Sequence, residues 1–360
     1  MARDAVSKGG RGLHYALLLG LAAYTTSHTF NVLRNTPFAA ITLQQTGAQL
    51  QASLARAVNA EATPERLAIL IDNAVTNTDR EMADALIALA DARDLTLPSD
   101  VLERHSALVD RLDNPFNRAT DCVACMWDFD NCQSISQALW CKGPVILTPV
   151  DDVFVLTQAG IDAATGQEVD QLDVTLAVVG LGATGLVLVS GGSSYIVKAG
   201  AGALKVAKGM GKLPPALLRT LREAADVPVN WGRVGDLTIG RAAVGDVVDM
   251  TRIAPLGRMA GDFGQIVTRT SPADGIRLLA HVDNGADMAR VARVTDAVGV
   301  DAPRTFEVLG KSRVFRIAAR LSDDVFAAIT GILLLAGQWA ALLGGWAAQF
   351  GLRVLRRSLR

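Results

Sequence analysis

Histidine, cysteine and aromatic residues are scarce in this chain, and its formal charges nearly cancel. Thirty-five Lys and Arg against 36 Asp and Glu leave a net charge of −1. A domain that grips nucleic acid needs a basic field, so nucleic acid is not expected as a partner. Aromatics make up only 5% of the residues. Aliphatic and small side chains must supply most of the core, as in helices packed closely in or beside lipid. His105 has no companion at ligand spacing and reads as a surface or packing residue. No hydrolase elbow, phosphate loop, zinc-protease helix or paired acid–base constellation occurs. No cofactor, metal or catalytic residue is expected, and the chain reads as non-enzymatic. Asp151-Asp152 is an acidic pair, but a cap at a helix start explains it as well as catalysis does.

Charge is also missing locally, at both ends. Leu13 to Leu33 carries none and follows Arg3, Lys8 and Arg11. Val325 to Leu352 carries none and runs into Arg353, Arg356, Arg357 and Arg360. A helix of about 20 such residues crosses a hydrocarbon core, and flanking Lys and Arg mark the cytoplasmic side. Both termini (1–12 and 351–360) therefore read as cytoplasmic, with almost everything between them on the far side of a membrane. Residues 13–33 read as an anchor or a signal segment. Thr25 and Ser27 would make a poor cleavage site, and the uncleaved anchor is the reading adopted. In the 325–350 span, Gly337, Ala341 and Gly345 recur every fourth residue and share one helix face, which allows close packing and a homo-oligomer through this helix. The Arg-rich tail places Arg353, Arg356 and Arg357 at lipid headgroups.

Between the spans the pattern is mostly α. Residues 34–118 read as helices: Thr63-Pro64 is a start signal, a second helix begins near Thr78, and Pro98-Ser99-Asp100 opens a third that Asn114-Pro115 stops. Residues 214–322 look helical again, with short strands expected in the glycine-rich part from 228 to 283.

All four cysteines fall in 119–142, as Cys122, Cys125, Cys132 and Cys141. The spacing fits no zinc ribbon or finger, and the strand that precedes a redox Cys-x-x-Cys is missing. In an exported segment an even, closely spaced set reads as disulfides. Asp128-Phe129-Asp130-Asn131 is turn-forming, so nesting Cys125–Cys132 inside Cys122–Cys141 is the simplest of three open connectivities.

Residues 143–213 contain a nucleotide-like motif. Val174 to Gly185 reads as a strand entering Gly180-x-Gly182-x-x-Gly185. Such a loop needs an acid about 20 residues later for the ribose, and none occurs between Asp173 and Glu223. A helical hairpin is expected instead, hinged at Gly191-Gly192-Ser193-Ser194. Its second half is amphipathic and carries Lys198, Lys205 and Lys208, which are placed at a membrane interface if the hairpin lies on lipid. A hairpin buried in the domain is the other possibility.

Several runs carry a resemblance. They are Pro149-Val-Asp-Asp-Val-Phe, Gly166-Gln-Glu-Val-Asp-Gln-Leu-Asp-Val, Gly180-Leu-Gly and Val197-Lys-Ala-Gly-Ala-Gly-Ala-Leu-Lys-Val-Ala-Lys, with Ala289-Arg-Val-Ala-Arg and Val308-Leu-Gly-Lys. Together they resemble a family of uncharacterised proteobacterial membrane proteins. The resemblance implies a bacterial envelope location and no particular activity. Membrane lipid and an envelope protein are the partners expected. The leading expectation is a non-enzymatic protein that binds or organises envelope components. A membrane-active or channel-like protein using the hairpin is second, and an envelope enzyme third.

Overall fold

A computed structural model describes residues 37–143, 148–190 and 195–319, together with Gly337 and Ala340. The uncharged stretch 13–33, nearly all of 325–352, and Ala341, Gly345, Arg353, Arg356 and Arg357 lie outside the described residues. The chain divides into two compact units, Met1–Leu50 with Arg316–Arg360, and Gln51–Phe315. In the first unit the described residues are helical. Among the described residues no helix is long and apolar enough to cross a membrane.

Among the described residues the elements of the second unit are helices, apart from one isolated bridge, and local chemistry sets the helix ends. Helix α1 spans Pro37–Glu61 and α2 Pro64–Thr76. The Thr63 hydroxyl accepts from the Arg66 amide, and proline fills the first turn of α2, where no donor is lost. Helix α3 (Arg80–Asp91) is capped by the Asp79 carboxylate. Helix α4 (Ser99–Asp113) ends at Asn114. That stop is also a start. Asn114 Oδ1 accepts from the amides of Phe116 and Asn117 and opens α5, Pro115–Trp127, so the first two cysteines lie on a helix. A short α6 (Ile135–Cys141) follows.

Next come α7 (Pro149–Thr165), α8 (Gln171–Ser190) and α9 (Tyr195–Gly209). Helix α9 is the centre of the unit: every residue from Lys198 to Ala207 is buried. A helix built of Ala, Gly, Val and Leu can be covered on all sides because it has no wide polar face. Its cover comes from α8 and from α13 (Met250–Arg269), with α10 (Pro215–Ala225), α11 (Trp231–Thr238) and α12 (Val244–Val247) lying between these in sequence. Helix α13 meets α9 almost backbone to backbone. A Cβ on Gly200 would lie 1.8 Å from the Ala260 carbonyl oxygen, and one on Gly264 would lie 1.8 Å from that of Ile196.

The 228–283 region corrects the expectation of strands. Among the described residues it holds helices and one isolated bridge, Val229 to Val248. Helices α14 (Pro272–Leu278), α15 (Gly285–Val298) and α16 (Ala302–Leu309) complete the unit, with residues 311–319 helical after Gly310. Two arginines tie the early helices to the late ones. Arg66 donates twice to the Val308 carbonyl at the end of α16, at 2.7 and 3.1 Å. Arg277 on α14 is buried among Asp79 (2.6 Å), Glu81 (2.7 Å) and Asp274 (2.8 Å). The ion pairs hold the Arg277 guanidinium above its ordinary range against the opposing effect of burial.

Candidate functional site

Two features stand out: a charge cluster inside the unit and a disulfide-stapled apolar knuckle on its surface. The cluster begins with Asp152 in the first turn of α7, only 1% exposed. Lys198 Nζ bonds Asp152 Oδ2, and it also donates to the Thr148 carbonyl at 3.3 Å. Lys205 Nζ reaches Asp152 Oδ1 at 2.5 Å and Asp151 Oδ2 at 2.9 Å. Two buried ammonium groups thus face two carboxylates. Each charge alone would cost several kcal/mol to desolvate, roughly; the neutral set makes their burial tolerable. Lys208, one turn on, bonds Asp170 at 2.7 Å and Asp173 at 2.6 Å. Partial burial works to raise the Asp170 carboxyl, but the hydrogen bond and charge of Lys208, with the Leu172 and Asp173 amides, together outweigh it and lower the group from its ordinary value.

Of the two placements left open for the lysines, interfacial and buried, Lys198 and Lys205 take the buried one. Lys198 and Lys205 are buried and Lys208 is turned toward Asp170 and Asp173, so in this fold none of the three presents a free ammonium to headgroups. The physical reason is that α7 and the α7–α8 connection supply acids along the lysine stripe. Sequence reading treated Asp151-Asp152 as a cap and so missed the partner. The available signal was the spacing: lysines seven apart share a helix face, and on an otherwise Ala/Gly helix they need a counter-charge.

The nucleotide-like motif is resolved the same way. Residues 174–185 lie within α8, with no strand before them. Gly180 makes room for Asp152, since a Cβ there would sit 2.6 Å from Oδ2, and Gly182 lies against Val244, with a Cβ at 3.1 Å. These glycines serve contact, not phosphate.

At the knuckle, Cys125 is bonded to Cys132 and Cys122 to Cys141. The nested pairing is therefore present, and among the described residues no cysteine is free. Asp128 to Asn131 forms the tight turn, with the Asp128 carboxylate accepting from the Asp130 amide at 3.1 Å. Phe129 is carried onto the end of α9: a Cβ on Gly209 would lie 2.5 Å from its ring, and Lys142 Nζ stands 3.9 Å from the ring centroid. The opposite face of the knuckle is bare. Phe116, Val123 and Trp127 fall at helical spacing on the outer side of α5, and Trp140 projects from α6. Exposure is 74% at Phe116, 86% at Trp127 and 77% at Trp140. Scattered single apolar residues are normal on a surface; two exposed tryptophans inside the Cys122–Cys141 loop, with exposed Phe116 on the same helix before it, are denser than such scatter. Sequence reading found the staple and missed this face.

His105 pairs with Asp84 at 2.6 Å, a local contact on the helix surface. Among the described residues no group of three or more His, Cys, Asp or Glu is placed to hold a metal ion. Of the proposed small-residue face on the C-terminal span, only Gly337 is described. Comparison of the chain with protein-family models, with curated proteins and with solved structures gave no match. The resemblance drawn from the Pro149 to Lys311 runs therefore rests on those runs alone.

Proposed function

We propose that the chain is a non-enzymatic protein of the bacterial inner membrane whose periplasmic helical domain binds an envelope protein through the stapled knuckle. The observation that carries the reading is the exposure of Trp127 and Trp140 within the disulfide-closed segment, with Phe116 on the helix leading into it. Disulfides pre-pay the ordering of a contact surface, which favours binding, and they persist in oxidising compartments such as the periplasm. The uncharged, basic-flanked ends support an anchored chain with its middle exported. Membrane lipid would contact those ends, and the small-residue face of the C-terminal span supports pairing of two chains. The second reading, a membrane-active hairpin, requires Lys198 and Lys205 to leave Asp152, and breaking a buried ion pair costs about 3–5 kcal/mol. That disfavours spontaneous release.

The test has two parts. Alkaline phosphatase joined after Asp110 or Val300 should be active, and after Arg360 inactive. Inactivity at Asp110 overturns the exported domain. In the same cells, a photo-crosslinking amino acid in place of Trp127 or Trp140 should give a discrete adduct with one envelope protein, absent when the residue is placed at exposed Arg241. Identical adduct patterns at the three positions would overturn the knuckle as a binding face.

A further inference from the structure

Where α9 crosses α13, the tight Gly200–Gly264 contact leaves an open cleft beside it. The cleft has a volume of about 510 Å³ and is lined by Ile196, Arg258, Asp262, Gln265 and Arg269. On α13 the lining residues 258, 262, 265 and 269 form a single helical stripe, with Thr268 beside it, its hydroxyl bonded to the Gly264 and Gln265 carbonyls. Arg269 is committed to Asp296 at 2.8 Å. Arg258 has no carboxylate within ion-pair distance among the described residues, and the Gln265 amide has no hydrogen-bond partner among them. Arg293 on α15 also faces Asp262. The cleft thus offers a guanidinium and an amide with donors to spare, a second guanidinium close by, and one apolar wall at Ile196.

We infer that this cleft binds a phosphate group, held by Arg258 and Gln265 with Arg293 beside it. Guanidinium donors match the spacing of phosphate oxygens and can engage two of them at once, and the Gln265 amide supplies a further donor. Asp262 is the residue that opposes an anion here. Burial raises its carboxyl from its ordinary value although Arg258 and Arg293 pull it down, and once protonated Asp262 donates a hydrogen bond instead of repelling. Binding should therefore tighten as pH falls through the range where Asp262 takes up its proton. The phosphate could come from a free phosphoester or from a phospholipid headgroup whose chain lies along Ile196. The inference does not depend on the knuckle or on membrane topology.

The experiment uses the purified full chain in a neutral detergent, with thermal unfolding as readout. One arm titrates inorganic phosphate. The other adds phosphatidylglycerol to the micelles, with phosphatidylcholine as the neutral control. A saturable rise of the midpoint is expected in at least one arm, with the half-saturating concentration at least tenfold higher in Arg258→Glu. Gln265→Ala should weaken it and Asp262→Asn should retain or tighten it. Arg118→Glu, on α5, makes the same charge change elsewhere and should leave it unaltered. A response to phosphatidylglycerol alone assigns the headgroup, and a response to inorganic phosphate assigns a soluble source. No saturable response in either arm, or equal loss in Arg118→Glu and Arg258→Glu, overturns the inference.

Discussion

The carboxylate of Asp152 rests against the backbone of Gly180, so closely that a methyl group there would lie 2.6 Å from Oδ2. The carboxylate has no room to retreat, because it also receives Lys198 and Lys205. Gly180→Ala should therefore destabilise the domain by about 1–3 kcal/mol, the cost of overpacking a filled interior. Gly160 on α7 gives the control. A Cβ there meets nothing within 4 Å, and Gly160→Ala should stabilise by roughly 0.5–1 kcal/mol through helix propensity. Chemical denaturation of the two variants against wild type checks the pair. A neutral Gly180→Ala would mean the hub is loosely packed.

Removing the hub itself should cost more. Asp152→Ala leaves Lys205 with Asp151 as its one bonded carboxylate and Lys198 with the Thr148 carbonyl in place of its carboxylate, and a loss of about 3–5 kcal/mol is expected. Replacing Asp152, Lys198 and Lys205 together by Leu, Met and Met should recover much of that loss. If the triple variant is no more stable than Asp152→Ala, the charges contribute more than mutual neutralisation.

The two disulfides close loops of different length, with cysteines 19 and 7 residues apart in sequence. Loop closure stabilises more when the loop is longer. The Cys122→Ser/Cys141→Ser double variant should thus lose more stability than Cys125→Ser/Cys132→Ser, within a total range of about 2–5 kcal/mol. No thiol should react with an alkylating reagent until the unfolded protein is reduced. Two or more reactive thiols in the native, unreduced protein would contradict the pairing.

His281 gives the pH dependence. It is stacked on Phe306, with ring centroids 5.0 Å apart. Burial, aided by the Lys311 ammonium, lowers its pKa. The unfolded chain takes up a proton at an ordinary histidine value of about 6.5, while the folded chain does not until the pH is lower. Stability contributed by neutral His281 is therefore present above about pH 6.5 and is lost as the pH falls below it. The fall in unfolding midpoint between pH 8 and pH 5.5 should shrink in His281→Gln. An unchanged slope in that variant would place the acid sensitivity elsewhere.

The helix starts were legible because each depends on a few adjacent residues. Thr63-Pro64 opens α2, and Pro98-Ser99-Asp100 opens α4. The staple was legible for the same reason, since its turn lies between its inner cysteines. What stayed hidden depends on distant partners. Gly257, Gly261 and Gly264 weaken the appearance of a helix in α13, yet Ile253, Leu256, Ala260, Phe263 and Val267 keep its buried face. Gly264 is needed because Ile196 approaches from a helix made much earlier. Likewise, Lys198 looks like an interface lysine until Asp152, 46 residues away, is placed beside it.

The burial of α9 also sets an order of events in synthesis. Its C-terminal end can be met early by Phe129, and α7 and α8 already precede it in the chain. Its other flank stays uncovered until residues 250–269 exist, because only Ala260 and Gly264 fit against Gly200 and Ile196. A nascent chain that has made α9 but not α13 therefore carries a sticky, alanine-rich ribbon with nothing to shield it. Such exposure invites aggregation. A chain truncated between residues 210 and 250 should therefore aggregate more readily than the full chain.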